Sequence, residues 1–194
     1  MEHNRKLFGD VIPQRAIRAA VFYDGESNIF SSSTEALLEG DIADGEYLNF
    51  DTGVAHFVKL KFGIDDFVLR FDAKQPKSEV VLCSNRDKSK YAAYGFTVYF
   101  GGGRLIYAMG DGINEHVWEY EVLQEEYCAQ IRLHKRTNEL DVSINGEPCK
   151  PIRSAERLQQ GYFTLDALDF YVGADGKGVK SASGEVRNFF LLRG

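Results

Sequence analysis

Two glutamates stand one residue apart beside the chain's only tryptophan in EHVWEYEV, residues 115–122. On an extended strand Glu119 and Glu121 share one side, with Cα atoms about 7 Å apart. At that separation a pair of carboxyls could hydrolyse a glycosidic bond. Trp118 and Tyr120 then share the opposite face. They suit either an open platform for the C–H face of a pyranose or a buried ridge between sheets, and large aromatics dominate cores. Charged residues on strands are usually solvated, so hydrolysis ranks third here, behind two non-catalytic readings.

Calcium needs several hard oxygen ligands, and the loop Gly110-Asp111-Gly112-Ile113-Asn114-Glu115 offers three oxygen-bearing side chains. Asp111 and Asn114, with Asp175 from a second glycine-flanked loop, are the candidate metal ligands. The spacing lacks the full calcium-loop pattern, and the same residues are good turn formers. A different loop, Asn85-Arg86-Asp87-Lys88-Ser89-Lys90, is followed closely by Tyr91 and Tyr94. Exposed tyrosines next to polar side chains make Asn85, Asp87, Tyr91 and Tyr94 candidate ligand contacts, together with Trp118 and Tyr120. The four histidines, His3, His56, His116 and His134, show no zinc-ligand spacing, and no glycine-flanked serine elbow occurs.

Composition narrows the classes further. The 194 residues suit one domain, and 44% hydrophobic content with 13% aromatics, 19 glycines and only 4 prolines describes a folded, turn-rich chain. A formal charge of −6 gives no basic footprint for nucleic acid or for an anionic membrane surface. No apolar run is long enough to span a bilayer, and MEHNRKLFGD lacks the apolar centre of a secretory signal, so a cytoplasmic or virion location is expected. Cys83, Cys128 and Cys149 are odd in number and read as buried thiols instead of a disulfide framework.

The elements that must position these residues show a two-residue period. Phe67, Leu69 and Phe71 alternate with Val68 and Arg70, and short strands are predicted at 79–84, 94–100, 104–109 and 117–122. Gly101-Gly102-Gly103 joins two of them as antiparallel neighbours. In YCAQIRLHKRTNELDVSINGEPC, Ala129, Ile131 and Leu133 face one way, as do Leu140, Val142 and Ile144, with Arg136-Thr137-Asn138 as the connection. Asn145-Gly146 begins a second tight turn. Strands are also predicted within 16–25, 46–51, 57–63, 163–173 and 184–194, the run 27–45 reads as a polar connection, and Ser154 caps a short helix over 154–160. About ten short strands with turns between them predict an all-β, two-sheet antiparallel sandwich with one short helix.

The order of these segments resembles the concanavalin A-like lectin and glucanase superfamily, in particular its laminin-G-like branch. AVFYDGESNIF resembles the opening strand, CAQIRLHKRTNELDVSINGEPC the long hairpin, and FYVGADGKGVKSASGEVRNFFLL the closing strand, glycine loop and final strand. The resemblance implies a jelly roll with one flat and one curved sheet, which in many members binds glycans or calcium on the concave face or rim. The glucanases of the superfamily carry glutamate, aspartate and glutamate at alternate strand positions; here the register runs Glu119, Glu121, Leu123, so the aspartate and the third carboxylate are missing.

The chain thus divides into an N-terminal arm, 1–15, and a single sandwich domain, 16–194. Leu7, Phe8, Val11 and Ile12 make the arm costly to leave exposed, so it is expected to dock on its own domain or on a second subunit. Two functions compete: a lectin-like module binding carbohydrate on the concave sheet or rim, or a structural or attachment component of an assembly such as a bacteriophage virion. The partners expected are glycans or proteins, without nucleic acid or membrane insertion.

Overall fold

The computed structural model of the protein describes residues 19–24, 29–32, 36–44, 47–57, 67–87, 93–134, 139–155, 169–179 and 184–193. The N-terminal arm, the turn at 136–138, the expected strand residues 58–63, the body of the expected helix beyond Ala155, and Tyr91 lie outside these. Among the described residues every element is a strand. In chain order they are β1 (Ala19–Asp24), β2 (Ile29–Ser32), β3 (Ala36–Gly40), β4 (Ala43–Asp44), β5 (Tyr47–Asn49), β6 (Gly53–Phe57), β7 (Phe67–Lys74) and β8 (Val80–Ser84). There follow β9 (Gly95–Gly101), β10 (Arg104–Gly110), β11 (Glu115–Glu121), β12 (Glu126–His134), β13 (Glu139–Ile144), β14 (Glu147–Cys149), β15 (Phe170–Val172) and β16 (Glu185–Arg193).

These strands form two antiparallel sheets packed as a sandwich. One runs β14-β13-β12-β7-β16-β1-β2, with β5 and β4 attached beside β16; the other runs β11-β10-β9-β8-β15-β6-β3. The alternation read from the sequence is the cause. Along β12, Tyr127, Ala129, Ile131 and Leu133 are buried while Cys128, Gln130 and Arg132 lie half-exposed on the other face. The predicted turn at Asn145-Gly146 closes as expected, with Asn145 at φ 52° and Gly146 at φ 85°, the left-handed pair a two-residue hairpin requires.

Aromatic rings tie the sheets together. Phe71 of β7 meets Phe100 of β9 edge-on across the sandwich at 6.0 Å and, within its own sheet, Tyr127 of β12 at 6.2 Å, and Phe67 stacks across the sandwich with Phe96 at 5.3 Å. Such pairs add about 0.5–1.5 kcal/mol each beyond their buried area. The last strand carries a bulge where its register against β7 shifts between Arg187 and Phe190, with Asn188 at φ 49° and its amide donating to Asp72 at 2.6 Å. One extra residue resets the parity, so Val186, Phe189 and Leu191 all reach the core.

The run 27–45 is not a connection: β2, β3 and β4 lie in it. On β3, consecutive Leu37 and Leu38 are both exposed, so no two-residue alternation marks a core side there.

Candidate functional site

Three loops meet at one end of the seven-stranded sheet: the pairing places Ser84 opposite Thr97, and Gly95 opposite Gly110, which in turn faces Glu115, and the loop after β15 folds back to this end through Gly176 and Lys177. They follow β8, β10 and β15. Two of them are closed by aspartates. Asp111 accepts N–H bonds from Ile113 at 2.8 Å and Asn114 at 2.6 Å through Oδ1, while Oδ2 meets His116 at 2.8 Å. Asp175 accepts from the N–H groups of Lys177 at 2.9 Å and Val179 at 3.0 Å. Burial works against the charged form of Asp111, but His116 and the two backbone donors outweigh it and hold the carboxyl below its ordinary range.

The loops also hold one another. Gly176 donates its N–H to the Arg86 carbonyl at 2.8 Å, and a Cβ there would fall 2.3 Å from the Arg86 backbone, so only glycine fits. Lys177 pairs with Asp87 at 3.1 Å. The Tyr94 ring rests on Gly112, whose missing Cβ would lie 2.6 Å from it, and half of Tyr94 faces solvent.

At the centre sits a compact polar cluster. Ser84 Oγ lies 2.8 Å from Thr97 Oγ1 and accepts the Arg86 N–H at 3.0 Å; Asn85 Oδ1 accepts the Phe96 N–H at 2.8 Å. Arg86 is 3% exposed, and its Nη1 bonds Glu115 Oε1 at 2.7 Å. The guanidinium lies on the sheet's outer face, since Glu115 shares the parity of Val117 and Glu119, opposite to the core-facing Trp118 and Tyr120. Burial pushes the neighbouring Tyr99 phenol up to about 12, and Arg86 pulls it the other way. Two buried donors, Asn85 Nδ2 and Arg86 Nε, have no hydrogen-bond partner.

Further along the same outer face His56 stacks on Tyr171 at 4.3 Å with rings 6° from parallel, and its Nε2 lies 3.1 Å from Asp169. These contacts join β6 to β15, so residue spacing could not have revealed them.

The structure brings Asn85, Asp87, Tyr94, Asp111, Asn114 and Asp175 to this one rim, and it separates Trp118 and Tyr120 from it. The stacking-platform expectation for those two is corrected: Trp118 is 7% exposed and packs against Tyr107 at 5.6 Å, and Tyr120 is 1% exposed, both in the core between the sheets. Glu119 and Glu121 consequently point outward. The Glu119 carboxylate is held by Arg104, its backbone bonds Ile152 and Arg153, and Glu121 is exposed. Of the calcium candidates, Asp111 is engaged through both oxygens and Asp175 through Oδ1 in closing their own turns, and among the described residues no three His, Cys, Asp or Glu side chains are gathered for a metal ion. All three cysteines are free thiols, Cys83 buried and the others half-buried. Among the described residues no helix is long and apolar enough to cross a membrane.

No family model and no curated protein matches the chain. Its two-sheet fold is shared with solved binding domains. The binding domain of botulinum neurotoxin serotype D/C is 11% identical with a TM-score of 0.61, over 92% of this chain and 49% of that one. A botulinum neurotoxin type C structure described as entering cells through interaction with two ganglioside molecules is 10% identical with a TM-score of 0.57, over 89% and 47%. The chain thus spans about half the length of these neurotoxin chains. A carbohydrate-binding module, CBM40, of a Ruminococcus gnavus sialidase bound to α2,3 sialyllactose is 10% identical with a TM-score of 0.53, over 68% of this chain and 76% of that one. At such identities the likeness establishes the fold.

Proposed function

We propose that the protein is a non-catalytic carbohydrate-recognition module of the concanavalin A-like type, with its ligand at the rim formed by the loops after β8, β10 and β15. The observation that carries this reading is the half-exposed Tyr94 ring standing at the same rim as two buried donors without acceptors, Asn85 Nδ2 and Arg86 Nε. An aromatic face suits the C–H side of a sugar, and fixed polar groups suit its hydroxyls. Fold likeness to domains described as binding gangliosides and sialyllactose supports the reading. Asn85, Asp87 and Tyr94 are the proposed contacts, with Tyr91 from the same loop.

The test is a broad glycan array probed with the purified chain. A saturable hit is expected, lost on Tyr94→Ala; a blank array with folded protein would end this reading.

A second reading, a component of a larger assembly, is favoured by one observation: Leu37 and Leu38 are 44% and 50% exposed on β3, which ends its sheet. Sedimentation velocity tests it. An oligomer dispersed by Leu38→Lys supports assembly, and a monomer at all concentrations opposes it.

A further inference from the structure

Arg86 is buried deeply for a charged side chain, with one carboxylate partner and one N–H left without any. A buried donor without an acceptor costs about 1–3 kcal/mol. Here two stand on consecutive residues, Asn85 Nδ2 and Arg86 Nε, and both lack the same thing: an acceptor oxygen. The guanidinium presents its donors as a rigid planar fork, which fits two oxygens of one carboxylate better than it fits scattered hydroxyls.

The existing partner of that fork is weakly retained. Glu115 is the first residue of β11, the end strand of its sheet, and its side chain is 35% exposed while that of Arg86 is 4% exposed. Water can therefore take over Glu115 at small cost, whereas Arg86 cannot lose its counter-charge without leaving a buried cation alone. The two register positions between them, Gly95 and Gly110, carry no side chain.

We infer that Arg86 anchors a carboxylate of the ligand and that Glu115 occupies that place in the free protein. Binding is an exchange of one carboxylate for another, with the guanidinium neutralised throughout and no covalent bond changed. The inference rests on the carbohydrate reading and names its class: an acidic sugar, offering its carboxylate to Arg86 and a ring face to Tyr94.

Calorimetric titration with a disaccharide ending in a uronic acid, and with the same disaccharide reduced at that carboxyl to the alcohol, tests it. The acid form is expected to bind about tenfold or more tightly than the alcohol, the worth of one charge-assisted bidentate contact. Glu115→Gln, which removes the internal competitor, should tighten the acid form several-fold and leave the alcohol unchanged. Arg86→Gln should abolish the preference. Should that variant fail to fold, Arg86→Lys, which keeps the charge and loses the fork, should reduce it. Equal binding of the two sugars, or weaker acid binding in Glu115→Gln, overturns the inference and leaves the carbohydrate reading standing. If neither sugar binds, the Nε–H resonance of Arg86 during titration with glucuronate decides: a saturable shift keeps the carboxylate site without the disaccharide, and an unmoved resonance removes both.

Discussion

Arg86, which follows β8, and Glu115, which opens β11, meet at 2.7 Å across two intervening strands, with only Gly95 and Gly110 between them in the register. Neighbouring strands stand about 4.8 Å apart, so the extended arginine must lie along the sheet face to make this contact. A side chain at Gly110 would project from that same outer face, because Leu105, Tyr107 and Met109 of β10 take the core side.

Gly110→Val is accordingly expected to break the pair and destabilise the fold by about 1–3 kcal/mol, since it strands a buried cation. Chemical denaturation measures this. The same change made in Glu115→Gln should cost clearly less, because the contact is already gone; equal costs in both backgrounds would show that the valine acts by crowding alone.

Trp118 and Tyr94 should separate stability from binding. Trp118→Ala empties a core site and is expected to cost about 3–5 kcal/mol. Tyr94→Ala removes a half-exposed ring and should stay within about 0.5 kcal/mol of the parent, while glycan binding falls. Thermal melts paired with array binding check both.

The Asp111 carboxyl is held below its ordinary value of 3.8. A depressed folded pKa means that its contribution is complete above pH 4 and is lost as pH falls through the folded value. The protection factors of the Ile113 and Asn114 amides, measured against the intrinsic exchange rate at each pH, should fall in that acid range. In Asp111→Asn the two amides should exchange with little acid dependence beyond the intrinsic rate.

Burial raises the Tyr120 phenol to about 12, and its hydroxyl finds no partner. A raised folded pKa favours the native state fully below pH 10, the ordinary value, and that preference is lost as pH climbs towards 12. Tyr120→Phe deletes the unsatisfied hydroxyl. It should leave stability at pH 7 unchanged or improved by up to about 1 kcal/mol and should blunt the alkaline fall in melting temperature.

Sequence alone was enough for the all-β class, the strands from β7 to β13, and the turns at 101–103 and 145–146, because a half-buried strand writes its core side at every second residue and its turns in glycine and asparagine. It also brought forward the rim residues Asn85, Asp87, Tyr94, Asp111 and Asp175 as good loop chemistry. Which of them share a place, and with whom, was decided by the order of strands. Arg86 reaches Glu115, Lys177 reaches Asp87, and His56 stacks on Tyr171 because β8 lies between β9 and β15, and β15 beside β6. Strand pairing of this kind is set by the global arrangement of the sheets and leaves no local period behind it. The same arrangement turned Trp118 and Tyr120 inward. Alternation fixes that two residues share a face; only the packing of a second sheet determines which face becomes the core.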